Sequence, residues 1–266
     1  MTVRPSLLLV LALPATLGAQ SSEPRTNSEM FSYETFADRY GSMLVAAFEA
    51  IPASRYAYKP TPAQQSIGYI AQHLEGANYS LCGILAGQSH AYAAKDSLAD
   101  TIKARWPKDT LVARLKASLR YCDSALARLG TVESATRASP LLAFETDLAE
   151  HYSQLASYMR LIGMTPPSAI PPAKHTAITL PASAMSPLVG TYELAPSITL
   201  DVTIRDGALI GQTSFGGPRK LLPESPTEFF IDGVDARITF VRDASEAVTG
   251  LVLHQYGRDR TAKKIR

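Results

Sequence analysis

The stretch "FETDLAEHYSQLASYMRLIGMTPPSA", residues 144–169, carries apolar residues at Phe144, Leu148, Leu155, Tyr158 or Met159, and Ile162. Spacings of three and four residues mark the apolar stripe of a packed helix. Within that stripe position 151 is a histidine, and one turn earlier on the same side stands Asp147. Gly163 and Pro166-Pro167 supply the stop. A helix seam that holds an imidazole and a carboxylate one turn apart calls for a partner on a neighbouring helix.

Three further segments have the same period. Phe36, Tyr40, Met43 or Leu44, Ala47 or Phe48, and Ile51 form one series, which ends before Pro52. A second helix is expected from about Ser66, with Ile67, Ile70, Leu74, Ala77, Leu81 and Ile84 in step and Gly87 near its end. The third stripe is Leu111, Leu115, Leu119, Cys122, Leu126 and Leu129, capped by Asp109 or Thr110 and stopped by Gly130. The quoted helix is the fourth, from about Pro140 to Leu161. Residues 88–109 read as a short helix and a loop. Four amphipathic helices joined by loops predict a four-helix bundle over residues 28–167.

The texture then changes. "PPSAIPPAKHTAITLPASAMSP" holds six prolines, so residues 168–186 read as a semi-stiff linker. From 187 to 266 the period becomes two, in runs such as "ITLDVTI", "ARITFV" and "VTGLVLHQY". Asp206-Gly207 is a hairpin signal between two of them. Six to eight short strands predict a small antiparallel β barrel or sandwich. The fold class is α+β with more than one domain.

Composition narrows the function classes. Hydrophobic residues make up 46% and charged residues 19%, and the net charge is +2. That is a globular chain whose charge does not point to nucleic acid. Residues 1–19 follow a signal-peptide pattern: Arg4, the apolar run Leu7–Leu13, then small residues up to Ala19. Cleavage is expected after Ala19, with Gly18 as the alternative, and the mature protein is expected in the periplasm or secreted. No other run is long enough to span a membrane. In an oxidising compartment the two cysteines, Cys82 and Cys122, are expected to pair.

Of the five histidines, His90, His175 and His254 read as surface or structural residues. His73 and His151 lie on or beside the apolar faces of two different helices. Asp147 and His151, four apart, point the same way. If the second and fourth helices are neighbours, His73 completes a set of two imidazoles and one carboxylate. Such a set suits Zn, Ni or Fe(II) with positions left open. On spacing alone, a buried hydrogen-bonded cluster fits equally well.

The stretches "EAIPASRYAYKPTPAQQSIGYIAQHLEGANYSLCG" and "EHYSQLASYMRLIGMTPPSA" resemble the DinB-like family of four-helix proteins, over roughly residues 30–168. The ending Tyr158, Arg160, Gly163, Pro166 and Pro167 carries part of that likeness. The resemblance implies a divalent-metal triad with one histidine on the second helix and a pair four apart on the fourth. His73 and His151 match this pattern, whereas Asp147 stands where the family commonly has histidine. The family's relatives include thiol-dependent transferases and isomerases and often pair, so the resemblance implies a thiol or other small-molecule substrate and a homodimer; the expected activity is a metal-dependent thiol transferase or hydrolase. Residues 187–266, through "LVGTYEL" and "VTGLVLHQYGRD", resemble the β domain appended to secreted serine hydrolases of the β-lactamase type. No Ser-x-x-Lys element of such a hydrolase is present. Two readings result: a metal-dependent enzyme, or a non-catalytic binding protein with a vestigial metal site and a ligand-binding β domain.

Overall fold

The computed structural model describes residues 28–88, 98–129, 135–171 and 173–266. The expected signal peptide, His90 and Gly130 lie outside these residues. The chain is helical in its N-terminal part and closes a barrel in its C-terminal part. The helices are α1 (Ser28–Ala50), α2 (Ile67–Leu85), α3 (Asp100–Lys103), α4 (Lys108–Leu129), α5 (Ala135–Leu161) and α6 (Ala182–Met185). Among the described residues no helix is long and apolar enough to cross a membrane.

The four long helices share one core. Phe48, Ile70, Leu115 and Leu155, one from each, are fully buried in it, and burying a side chain of that size contributes roughly 1.5–3 kcal/mol. Helix α2 packs against both α4 and α5, as does α1. Ser66 starts α2, its Oγ accepting from the Tyr69 amide at 3.2 Å. Cys82 on α2 and Cys122 on α4 form a disulfide, with Cα atoms 5.1 Å apart.

The apolar series of α2 needs correcting. Its buried face runs through Ile67, Ile70, Leu74, Asn78 and Cys82, whereas Ile84 is exposed. Two polar groups turn inward because α4 supplies their partners. Asn78 Nδ2 donates to Ser118 Oγ at 2.9 Å, and Glu75 pairs with Arg114 at 2.6 Å. Helix α5 begins five residues before Pro140. A proline there, past the first turn, removes one helical hydrogen bond.

Eight strands follow: β1 (Gly190–Ala195), β2 (Ile198–Arg205), β3 (Ala208–Thr213), β4 (Arg219–Pro223), β5 (Glu228–Phe230), β6 (Ala236–Arg242), β7 (Val248–Gln255) and β8 (Arg258–Lys264). Each pairs antiparallel with the next, and β8 returns to β1 through Tyr192 opposite Lys264. The result is a closed barrel, not a sandwich, and closure leaves no edge strand exposed. Asp206 and Gly207 both have positive φ (51° and 72°), as a two-residue hairpin turn of matching twist requires. Tyr192, Phe229 and Phe240 fill one end of the interior, with ring centroids 5.5–5.6 Å apart in edge-on contacts.

The proline-rich segment is not a bare spacer. His175 Nδ1 lies 2.7 Å from Glu224 Oε1, the Ile178 amide donates to the Pro223 carbonyl, and Met185 is buried in the barrel core. The barrel also meets α1 directly. Helix α1 starts well before Phe36, and its added first turns place Phe31 inside the barrel's apolar cluster. Phe36, expected in the helical core, is 38% exposed beside the barrel instead.

Two arginines of β8 hold this junction. Asp38, its side chain only 3% exposed, pairs with Arg258 at 2.5 Å and Arg260 at 2.6 Å. Arg258 also pairs with Asp123 of α4. The Arg260 guanidinium sits 4.9 Å above the Phe31 ring. Burial pushes the Asp38 carboxyl up to about 6, against the pull of both guanidiniums, so it is ionised at neutral pH. Asp38→Ala is therefore expected to destabilise the protein by about 2 kcal/mol. That is less than the loss of a fully buried pair, because Arg258 keeps Asp123 and contact with water. Urea denaturation checks the value, and limited proteolysis should show faster cleavage between residues 170 and 181.

Candidate metal centre

His73 lies in the second turn of α2, on the side facing α5. Asp147 and His151 lie one turn apart on α5 and face α2. The packing of these two helices brings the three side chains together. His73 Nε2 is 3.4 Å from Asp147 Oδ1, and His151 Nδ1 is 3.3 Å from the same oxygen. The two imidazole centroids are 4.7 Å apart. One donor atom from each residue can be chosen so that all three lie within 4.8 Å of one another. No fourth His, Cys, Asp or Glu of the described residues joins the group.

The hydrogen bonds fix how the group is presented. His151 Nδ1 is also 2.9 Å from the Asp147 backbone carbonyl. A carbonyl only accepts, so Nδ1 carries the proton and the Nε2 lone pair of a neutral ring is left for a ligand. Asp147 Oδ2 is buried and has no hydrogen-bond partner among the described residues. A buried carboxylate oxygen without a donor is costly, and a cation would satisfy it. Exposure is graded across the set: the side chains of His151, Asp147 and His73 are 12%, 19% and 35% exposed. His73 is thus the open side, with the Tyr69 ring stacked beside it at 6.5 Å.

Burial raises the Asp147 carboxyl, but the hydrogen bonds from His151 and His73 outweigh it and hold the group down, at about 2. Burial lowers His151, and its bonds to Asp147 more than compensate, so its value is raised. The site therefore presents a carboxylate throughout the physiological range. The other histidines stand apart. His175 stacks on Phe230 at 4.9 Å, and His254 bridges Asp259 (2.6 Å) and Thr239 (2.9 Å).

Comparison with known proteins reaches the barrel. Residues 174–264 match the family described as Domain of unknown function (DUF3471). That span contains all eight strands. The chain is also similar, at 18% identity, to a solved structure titled "Crystal structure of SurE"; the likeness covers 45% of this chain and 27% of that one, with a TM-score of 0.31. No curated protein matches the chain.

One titratable group near the site escaped the reading of the sequence. Glu145 is buried on α5, on a different face from Asp147, and neither of its carboxyl oxygens has a partner among the described residues. Burial, reinforced by the charge of Asp38, pushes it up to about 8. It is thus mostly protonated at neutral pH in the folded chain. The unfolded chain loses this proton near pH 4.5. The group's contribution to stability is therefore fully present below that pH and is lost as pH rises through about 8. Glu145→Gln keeps the shape without the titration and is expected to raise stability by about 2 kcal/mol at pH 7.5, with little gain at pH 4.5. Thermal melts of both proteins at the two pH values check this; an equal difference at both would contradict it.

Proposed function

We propose that residues 28–167 form a DinB-like four-helix bundle that holds one divalent metal ion, Zn, Ni or Fe(II), on His73, Asp147 and His151. The protein carrying it is exported to the periplasm or secreted. The observation that supports this best is the convergence of two imidazoles on one carboxylate, Asp147, whose other oxygen, Oδ2, is buried and has no donor among the described residues. The disulfide between α2 and α4 agrees with an oxidising compartment, as does the leader pattern of residues 1–19.

When bound, the ion supplies a Lewis acid that lowers the pKa of a coordinated thiol or water. The chain's own residues prepare the site. The Asp147 carbonyl fixes the His151 tautomer, and the Asp147 carboxylate draws both rings inward. The partly exposed His73 leaves one side accessible to a small molecule. The reaction class is transfer to or from a thiol, or hydrolysis of a small substrate. A second reading has an observation of its own: the three residues already hydrogen-bond one another, and no further acid or base of the described residues stands with them. In that reading the cluster is structural and the protein binds without turnover.

Metal analysis of untagged protein purified from the exported fraction separates the two. The proposal expects close to one equivalent of a divalent metal per chain, and a thiol-transfer or hydrolytic activity abolished by chelation and restored by the same metal. Protein that carries no metal and takes up none would favour the structural cluster.

A further inference from the structure

The barrel is plugged at one end by aromatic rings and hollow at the other. Between its open end and α1 lies a cavity of about 470 Å³, within the range of small-molecule sites. Its inner wall is aliphatic, formed by Leu194, Leu200, Leu221, Ile238 and Leu253. At the rim stand two exposed aromatic rings, Phe36 and Phe215, the latter 50% exposed. The same rim carries Arg39 and Arg219, both exposed and neither in an ion pair among the described residues. Arg39 lies 5.7 Å from the Tyr40 ring. Thr35 of α1 also lines the cavity, with its Oγ1 buried behind the surface and without a hydrogen-bond partner among the described residues.

We propose that this cavity binds a medium-chain fatty carboxylate. The chain lies along the aliphatic wall, and the carboxylate sits at the rim with Arg39 and Arg219. Each part of the site selects for one part of that ligand. An apolar wall closed at its far end takes a chain and not a polar body. Two unpaired guanidiniums select an anionic head. Because α1 provides Phe31, Thr35, Phe36 and Arg39, the ligand bridges the helical part and the barrel. This site is separate from the proposed metal centre and does not depend on it.

Calorimetric titration of the full mature chain with dodecanoate, below its micellar concentration, tests the proposal. Saturable binding of one molecule per chain is expected. Affinity should rise about fourfold per methylene from octanoate to dodecanoate, as apolar burial predicts. The double variant R39A/R219A, confirmed as folded by its circular dichroism melt, should bind dodecanoate at least tenfold more weakly. Its binding of dodecanol should be unchanged. Absence of saturable dodecanoate binding to the wild type would overturn the proposal. So would a folded double variant that binds dodecanoate as tightly as the wild type, or a wild type that prefers dodecyltrimethylammonium.

Discussion

Replacing His151 with alanine is expected to weaken zinc binding at pH 7.5 by about a hundredfold or more. Losing even a residue that orients a metal ligand typically lowers affinity 10–100-fold, and His151 is both the most buried imidazole of the set and the one whose tautomer is fixed by the backbone. His73→Ala should act in the same direction. Asp147→His should keep or strengthen binding, because it preserves a donor at the same turn of α5. The pH dependence has a definite sign. Protons compete with the metal for the imidazoles, so affinity rises between pH 5 and 8. The metal-free protein behaves oppositely at the upper end. The raised value of His151 contributes stability that is lost as pH rises through it, whereas Asp147, held at about 2, contributes stability that is lost as pH falls below 3.8 towards 2. Competition titrations against a chelator at several pH values measure the affinities, and thermal melts of the metal-free protein across pH measure the stability. Equal affinities of the wild type and His151→Ala would remove the residue from the site.

The second large effect belongs to the disulfide. Cys82 and Cys122 are separated by 40 residues, and closing a loop of that size stabilises a fold by about 4 kcal/mol on the chain-entropy account. Both sulfurs lie in the core, where reduced cysteines would still pack as small apolar groups. The native contacts therefore survive reduction, and the change falls mainly on the unfolded state. The double variant C82S/C122S, or the reduced wild type, should unfold at clearly lower urea with native-like helical content. An unchanged midpoint would show that the bridge adds nothing to the contact between α2 and α4.

The long helices and the barrel were legible because their patterns are local. Leu111, Leu115, Cys122 and Leu126 repeat at helical spacing, and Asp206-Gly207 marks a hairpin by its own backbone chemistry. The proximity of His73 to the Asp147–His151 pair was legible only conditionally, since it required α2 and α5 to be neighbours. What the sequence hid was polar burial that depends on a distant partner. Asn78 and Glu75 are buried only because Ser118 and Arg114 of α4 stand opposite them. Glu145 carries no signal at all, because its burial follows from the packing of α1 against α5. The junction between the two parts was equally hidden. The first helical series was read from Phe36 onward and so left out Phe31, and Asp38 finds its arginines more than two hundred positions away.

Where a divalent metal binds is the most direct test of the triad. Crystals of the zinc-loaded protein, measured on both sides of the zinc absorption edge, locate the ion without reference to any assay. One anomalous peak per chain is predicted, within bonding distance of a ring nitrogen of His73, a ring nitrogen of His151 and a carboxylate oxygen of Asp147. A peak on His175 or His254, or no peak between α2 and α5, would contradict it.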